Sequence, residues 1–276
     1  MVSGVDIQEM PRHTLVMGIL NVTPDSFFDG GKIGTVLDAR ACAETMVRDG
    51  ADWIDVGGES SRPGAEPIGL EEELRRVLPA LEAIRDLGVP RSVDTYRAET
   101  ARRALAHGAG MINDITALRG DPEMAAVVAE AGCPCVLMHM RGNPKTMQDA
   151  PGYADVVADI CAFFEERMAA VMREGVREEQ IWLDPGFGFG KTVAHNLELL
   201  RRLPEFKRFG RPLLIGTSNK STIGTVLDAP VEERLEGTAA SVAIAVFQGV
   251  DAVRVHNVGA MKRVVRMSDA IRNGSA

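Results

Sequence analysis

Eight times along this chain an apolar run stops abruptly at a polar or glycine residue: at Asn21, Asp55, Asp94, Asn113, His139, Asp184, Gly216 and His256. The clearest runs, residues 15–20, 53–56, 135–138, 181–183, 213–215 and 252–255, are near-continuous rather than alternating. Strands buried on both faces read this way, and parallel sheets bury both faces. Helical patterns with charged faces lie between them, including 70–85, 97–107, 156–174, 196–203 and 237–247. Strands that alternate with helices need crossovers and a parallel sheet. The eight endings therefore predict eight strands feeding one rim, an α/β TIM (β/α)8 barrel. Its 276 residues are close to the roughly 250 of such a barrel, so a single domain over 1–276 with its core in 13–272 is expected. An open doubly wound sheet would place a glycine-rich phosphate turn after its first strand, where this chain reads Asn21-Val22-Thr23-Pro24-Asp25.

The net charge of −8, from 31 basic and 39 acidic residues, disfavours nucleic acid and anionic membrane as partners but leaves room for a local basic pocket. Four cysteines without a CxxC pair give neither a disulfide framework nor a zinc pattern, and a reducing cytoplasm is expected. The apolar run at 15–20 is too short to span a bilayer, and no signal-like segment precedes it, so neither secretion nor membrane insertion is expected. The loops at 21–34 and 57–69 are long and rich in Gly, Pro and Ser, a length that usually serves function.

Asp94, Asn113 and Asp184 end the third, fourth and sixth predicted strands and converge on the barrel mouth, where such enzymes bind their ligands. Any one of them could instead cap the next helix. Together, two carboxylates and an amide suit a flat heterocycle bearing amide and amino donors. After the seventh strand, Gly216-Thr217-Ser218-Asn219-Lys220-Ser221 offers small residues for close approach and a lysine that can stack or donate. Alternation puts Arg254 and His256 on one side of the eighth strand, and a barrel-facing arginine calls for an anion, naturally a phosphate.

The stretch Asp184-Pro185-Gly186-Phe187-Gly188-Phe189-Gly190-Lys191-Thr192 imitates a phosphate loop at its end, but Pro185 stands where that loop needs glycine. The glycines make a tight turn under a ligand instead, with Phe187 or Phe189 as an apolar wall and the other packed as ordinary loop. Cys133-Pro134-Cys135 and Met138-His139-Met140 could suggest soft-metal ligands, yet core packing is the better reading.

Taken together, these segments resemble the dihydropteroate synthases of the folate pathway. The resemblance runs through Gly18 to Phe27, Gly57-Gly58-Glu59-Ser60-Ser61-Arg62-Pro63-Gly64, Ser92-Val93-Asp94-Thr95, Asn113-Asp114-Ile115, the run from Met138 to Pro144, Asp184 to Phe189 and Arg254-Val255-His256. It implies a transferase joining 6-hydroxymethyl-7,8-dihydropterin diphosphate to p-aminobenzoate, with release of diphosphate. It further implies a pterin site of Asp94, Asn113, Asp184 and Lys220, lined by Met138 and Gly216. Asn21, Arg254 and His256 would take the diphosphate, with Mg²⁺ bridging it to Asn21. Phe27, Ser61, Arg62, Pro63, Phe189 and Ser221 would form the aminobenzoate pocket, where sulfonamides compete. A homodimer is expected on the same ground.

Three positions depart from the family pattern: Asn219 where Arg is usual, Asn257 where Asp is usual, and Ser61 where Thr is common. The first two suggest a paired exchange in which an amide contact replaces an ionic one. Methyltetrahydrofolate-dependent methyltransferases use a similar barrel, but would not need Lys220, Arg254 and His256 as a diphosphate and aminobenzoate apparatus. A paralogue that binds pterin without turnover is the non-enzymatic alternative.

Overall fold

Strands and helices alternate, with two helices between the last two strands, in the structure, a computed structural model that describes residues 13–23, 36–62, 64–142, 147 and 152–275. Among these the order is β1 (Leu15–Asn21), α1 (Val36–Arg48), β2 (Trp53–Gly57), α2 (Leu70–Ala83), β3 (Arg91–Asp94), α3 (Ala98–Ala106), β4 (Met111–Asp114) and α4 (Met124–Ala131). It continues with β5 (Cys135–Met138), α5 (Val156–Arg173), β6 (Ile181–Asp184), α6 (Val193–Arg201), β7 (Leu214–Ile215), α7 (Ser221–Leu227), α8 (Leu235–Phe247), β8 (Ala252–Val255) and α9 (Val258–Asn273).

Every strand pairing is parallel, in the order β6-β5-β4-β3-β2-β1-β8-β7. The ring closes through a parallel bridge between Leu183 and Leu213, where Leu183 N donates to Pro212 O at 2.9 Å. The expected (β/α)8 barrel is therefore what forms.

The strands are buried on both faces, as their unbroken apolar runs require, and two separate cores result. Leu15, Met17, Trp53, Met111, Val136, Trp182, Leu214 and Ala252 form an apolar plug inside the barrel. Outside it, residues such as Val16, Ile54, Val93, Ile112, Leu137 and Val253 pack with the helices in a continuous outer core. The plug fills the barrel below its carboxyl end, so a ligand can enter only from the rim above.

Local chemistry sets the element ends. Asp155 Oδ1 caps α5 by accepting from Val157 N (2.9 Å) and Ala158 N (3.0 Å). The Thr192 hydroxyl caps α6 by accepting from His195 N, which starts that helix before the expected residue 196. Gly132, at φ 66°, ends α4 in the left-handed conformation glycine accepts most readily.

Gly186, at φ 68°, brings the β6 turn onto the end of β5 so closely that a Cβ there would stand 1.9 Å from the His139 carbonyl oxygen. Gly210 shares the left-handed backbone (φ 62°) with nothing within 4 Å of its Cβ position. Gly210→Ala is therefore expected to cost only the backbone penalty of about 1–2 kcal/mol, while Gly186→Ala costs at least about 2 kcal/mol more. Urea unfolding midpoints of the two variants check this, and equal costs would contradict the close approach.

Candidate active site at the barrel mouth

Side chains alternate along a strand, so residues two positions beyond the plug also face the barrel axis. Asp55 follows Trp53, Asn113 follows Met111, Met138 follows Val136, Asp184 follows Trp182, Gly216 follows Leu214, and Arg254 follows Ala252. Strand register then aligns the rim: Asn21 pairs with Gly57, Gly57 with Asp94, Asp94 with Asn113, and Met138 with Asp184. A polar layer stands on an apolar floor.

Arg254 sits at its centre. Its Nε donates to Asp55 Oδ2 at 2.6 Å and its Nη2 to Asp94 Oδ2 at 2.7 Å. Asp55 is fully buried; Asn113 Nδ2 also donates to its Oδ2 (2.9 Å), and Ser92 Oγ donates to its Oδ1 (2.6 Å). Three donors satisfy a carboxylate that would otherwise be costly to bury. Burial works against the Arg254 charge, but Asp55 and Asp94 outweigh it and hold the guanidinium above its ordinary range. Burial, aided by Asp55, Asp114 and Glu73, raises Asp94 while Arg254 opposes the rise. The anion expected for Arg254 is thus supplied by two carboxylates here, because a partly buried guanidinium beside a fully buried acid needs a partner at all times.

Asp184, Lys220 and Phe189 form the second cluster. Gly186 N donates to Asp184 Oδ1 at 2.7 Å, so this carboxylate shapes its own turn rather than capping a helix. Burial lifts its pKa to about 6 against the pull of that N–H and of Lys220, Lys191 and Arg254. The Lys220 ammonium lies 4.0 Å from the centroid of the Phe189 ring, a cation–π contact. Burial and then Arg254 lower the lysine to about 8, with Asp184 and Asp94 opposing. Phe189 belongs to a mouth cluster with Ile115, Met138, Met140 and Met147, whereas Phe187 is packed in the outer core. The turn has one wall residue and one packing residue.

At the far side of the mouth His256 Nδ1 lies 2.9 Å from Ser218 Oγ, which also accepts from His256 N at 3.2 Å. His256 is exposed at the rim; crowding by neighbouring atoms, then the charges of Arg254, Lys220 and Arg62, push it below its ordinary range. It is neutral at pH 7 without an anion beside it. A Cβ on Gly57 would stand 3.3 Å from Asn21 Oδ1 and 3.4 Å from Asp94 Cβ, so Asn21 joins the same rim. Gly216 leaves the space beside Arg254 Cβ, 3.7 Å from its own Cβ position. Ser221 opens α7 on the surface, and Ser61 lines a small cavity with Glu59, Glu73, Asp94, Thr95 and Tyr96.

Below that cavity Arg97 bonds Glu59 (2.8 Å), Glu73 (2.9 Å) and the carbonyl of Ile68 (2.6 Å), pinning both ends of the 57–69 loop. Arg62 is exposed on this loop. Phe27 and Pro63, and most of the 21–34 loop, lie outside the described residues.

The paired exchange expected of Asn219 and Asn257 is not what the structure contains. Asn219 adopts φ 58°, a left-handed conformation that asparagine tolerates better than arginine, and its carbonyl accepts from Arg234 Nη1 at 3.0 Å. Asn257 caps α9 by accepting from Ala260 N at 3.0 Å, as an aspartate would. Each amide answers to its own backbone.

Sequence reasoning did not give a role to Asp55, Ser218 or Lys191. Asp55 was detectable as one of the eight strand endings; the other two are polar residues within loops and carry no periodic signal. The cysteines are free thiols, and among the described residues no group of three or more His, Cys, Asp or Glu side chains could hold a metal.

A rim of paired acids, an amide and partly buried cations above a plugged barrel defines an enzyme for a small, polar, partly anionic molecule. The family described as pterin binding enzyme matches residues 17–256. The dihydropteroate synthase of Synechocystis is 48% identical over 270 residues, covering 97% of this chain and 93% of its own. The Yersinia pestis dihydropteroate synthase, solved as a sulfonamide drug complex, superposes with a TM-score of 0.91 at 43% identity, covering 95% of both chains. The Xanthomonas albilineans dihydropteroate synthase, solved with 4-aminobenzoic acid, gives 0.88 at 44%, covering 94% of this chain and 93% of that one. The chain belongs to the pterin-binding enzymes and, among them, to the dihydropteroate synthases.

Asp184 yields a pH prediction. Its folded pKa of about 6 exceeds the ordinary 3.8, so the folded state binds the proton more tightly and stability from this group is lost as pH rises from about 4 through 6. Asp184→Asn, which keeps the acceptor for Gly186 N, should be more stable than wild type at pH 8 by up to roughly 3 kcal/mol, with the difference vanishing below pH 4. Urea unfolding across this range checks it; superimposable pH profiles would contradict it.

Proposed function

We propose that this mouth carries out the dihydropteroate synthase reaction with its two half-sites joined through Arg254. The pterin ring of 6-hydroxymethyl-7,8-dihydropterin diphosphate lies on Asp94, Asn113, Asp184 and Lys220, with Met138 and Gly216 lining the slot. Asn21, Arg254 and His256 take the diphosphate. Ser61, Arg62, Phe189 and Ser221, together with Phe27 and Pro63, receive p-aminobenzoate. The observation that carries this reading is the clamp: Arg254 bonds Asp94 directly and shares Asp55 with Asn113. An anion-binding cation thus touches one ring-binding group directly and stands one carboxylate away from another, which sets the bond to be broken between them.

The bond from the pterin methylene carbon to the diphosphate oxygen breaks, and its electron pair leaves with diphosphate. Donation from the dihydropterin ring steadies the electron-poor methylene, the aminobenzoate nitrogen forms the new C–N bond, and one proton leaves that nitrogen. Arg254 stabilises the developing phosphate charge from a fixed position. His256, neutral in the free site, takes a proton from solvent as the diphosphate group arrives beside it and becomes a second cation. Lys220 packs its stem on the 186–190 turn and its ammonium on Phe189, leaving donors for the ring.

Magnesium fits this arrangement in one way. The chain offers the neutral amide oxygen of Asn21 at the rim and no carboxylate cage among the described residues, and Mg²⁺ is commonly held by few protein ligands plus substrate phosphates. Asn21 would hold it together with diphosphate oxygens, and the ion would neutralise charge on the leaving group.

Exposed Ile244, Phe247, Met267 and Ile271 on α8 and α9 supply an apolar face for a homodimer. The four free thiols agree with a reducing cytoplasm, and no described helix is long and apolar enough to cross a membrane.

Diphosphate release, followed on mixing the protein with the pterin diphosphate and Mg²⁺ with and without p-aminobenzoate, tests the reading. Amine-dependent release with formation of dihydropteroate is expected. Binding of the pterin diphosphate without amine-dependent release would overturn it.

A further inference from the structure

The Gly-Lys-Thr ending that imitates a phosphate loop has no part in the reaction above, yet its lysine is buried at 3% exposure. Lys191 Nζ donates to the carbonyl oxygens of Gly186 and Phe189, both at 2.9 Å, and lies 3.0 Å from His139 Nδ1 and 3.4 Å from the His139 carbonyl. Burial, then the charges of Lys191 and Arg119, hold the His139 pKa near 2. The imidazole is neutral and its Nδ1 faces Lys191 Nζ, which burial in turn lowers to about 7 against the pull of Asp184.

These bonds cross between elements. Gly186 and Phe189 lie in the turn after β6, and His139 lies at the end of β5. The same turn is held at two more points: Gly188 N donates to Asn196 Oδ1 (2.8 Å), and Tyr153 Oη donates to the Gly190 carbonyl (2.8 Å). Two of its glycines touch neighbouring backbone, with Cβ positions 1.9 Å from His139 O and 2.7 Å from Arg141 O. On its ligand side the turn presents Gly186 N to Asp184 and the Phe189 ring to Lys220. A lysine with three close acceptors is the fastener between β5 and a turn that carries ring-facing groups.

We infer that Lys191 is a positioning residue for the ring-binding half of the site, bracing the 186–190 turn against β5 so that Asp184 and Phe189 stand in register with Lys220. The inference rests on the proposed placement of the pterin against Asp184 and Lys220. Its consequence is selective: the diphosphate half, on Arg254 and His256, hangs from β8 and from Asp55 of β2 and does not use this brace.

Calorimetric binding of 6-hydroxymethylpterin and, separately, of Mg²⁺-diphosphate to the full chain tests it, with cooperative thermal unfolding confirming each variant's fold. Lys191→Met should bind the pterin at least tenfold more weakly and diphosphate within twofold of wild type. His139→Asn, which keeps an acceptor near the Nδ1 position, should stay within threefold for both ligands, while His139→Val shares the selective loss. Should Lys191→Met not fold, the asparagine and valine variants carry the same test. Unchanged pterin affinity, or equal loss of both ligands, would overturn the brace. Asp184→Asn separates the two claims: if it alone binds pterin like wild type, the ring placement fails and the brace with it, whereas if it loses pterin and Lys191→Met does not, only the brace fails.

Discussion

A partly buried guanidinium near the end of β8 organises this barrel mouth. Arg254 can be housed there only because Asp55 and Asp94 accept its Nε and Nη2, and Asp55 can be fully buried only because Arg254, Asn113 and Ser92 all donate to it. Removing one partner from such a set strands the rest, at a cost of about 3–5 kcal/mol. The same bonds join β2, β3, β4 and β8 across the rim. Groups proposed for the ring and for the diphosphate are therefore one electrostatic unit, with Asp55 as the shared atom-level link.

Beneath this layer the barrel divides its labour. Trp53, Met111, Trp182 and the other plug residues fill the interior and supply stability without chemistry. Two residues further along each strand, the same inward direction delivers acids, amides and cations whose burial is costly. Asp184 shows the trade: a carboxylate whose pKa is lifted to about 6 by burial destabilises the empty enzyme at neutral pH while offering an acceptor to a ligand. The plug makes that expense tolerable.

Much of this was legible in the sequence, because burial on both faces leaves unbroken apolar runs and the rim interrupts each one. All eight endings fall at or within one residue of a strand terminus or two residues before it, as at Asp55. Side-chain partners were less legible. Arg254 called for an anion, but periodicity could not show that Asp55 and Asp94, 199 and 160 residues away, would be the ones. The lowering of His256 was equally hidden, since it comes first from crowding by neighbouring atoms and then from the charges of Arg254, Lys220 and Arg62. Asn219 and Asn257 looked like a lost ion pair because sequence hides backbone dihedrals and caps; one holds a left-handed turn and the other starts a helix. Helix α4 is almost wholly apolar and α7 is only seven residues long, so neither offers a long amphipathic stripe to read.

The link through Asp55 is tested most directly by calorimetric titration of Asp55→Asn with 6-hydroxymethylpterin and with Mg²⁺-diphosphate. The account predicts that both affinities fall at least fivefold in a variant that still unfolds cooperatively, because one carboxylate holds Arg254 and Asn113 together. A folded variant that binds both ligands as tightly as the wild type would contradict it.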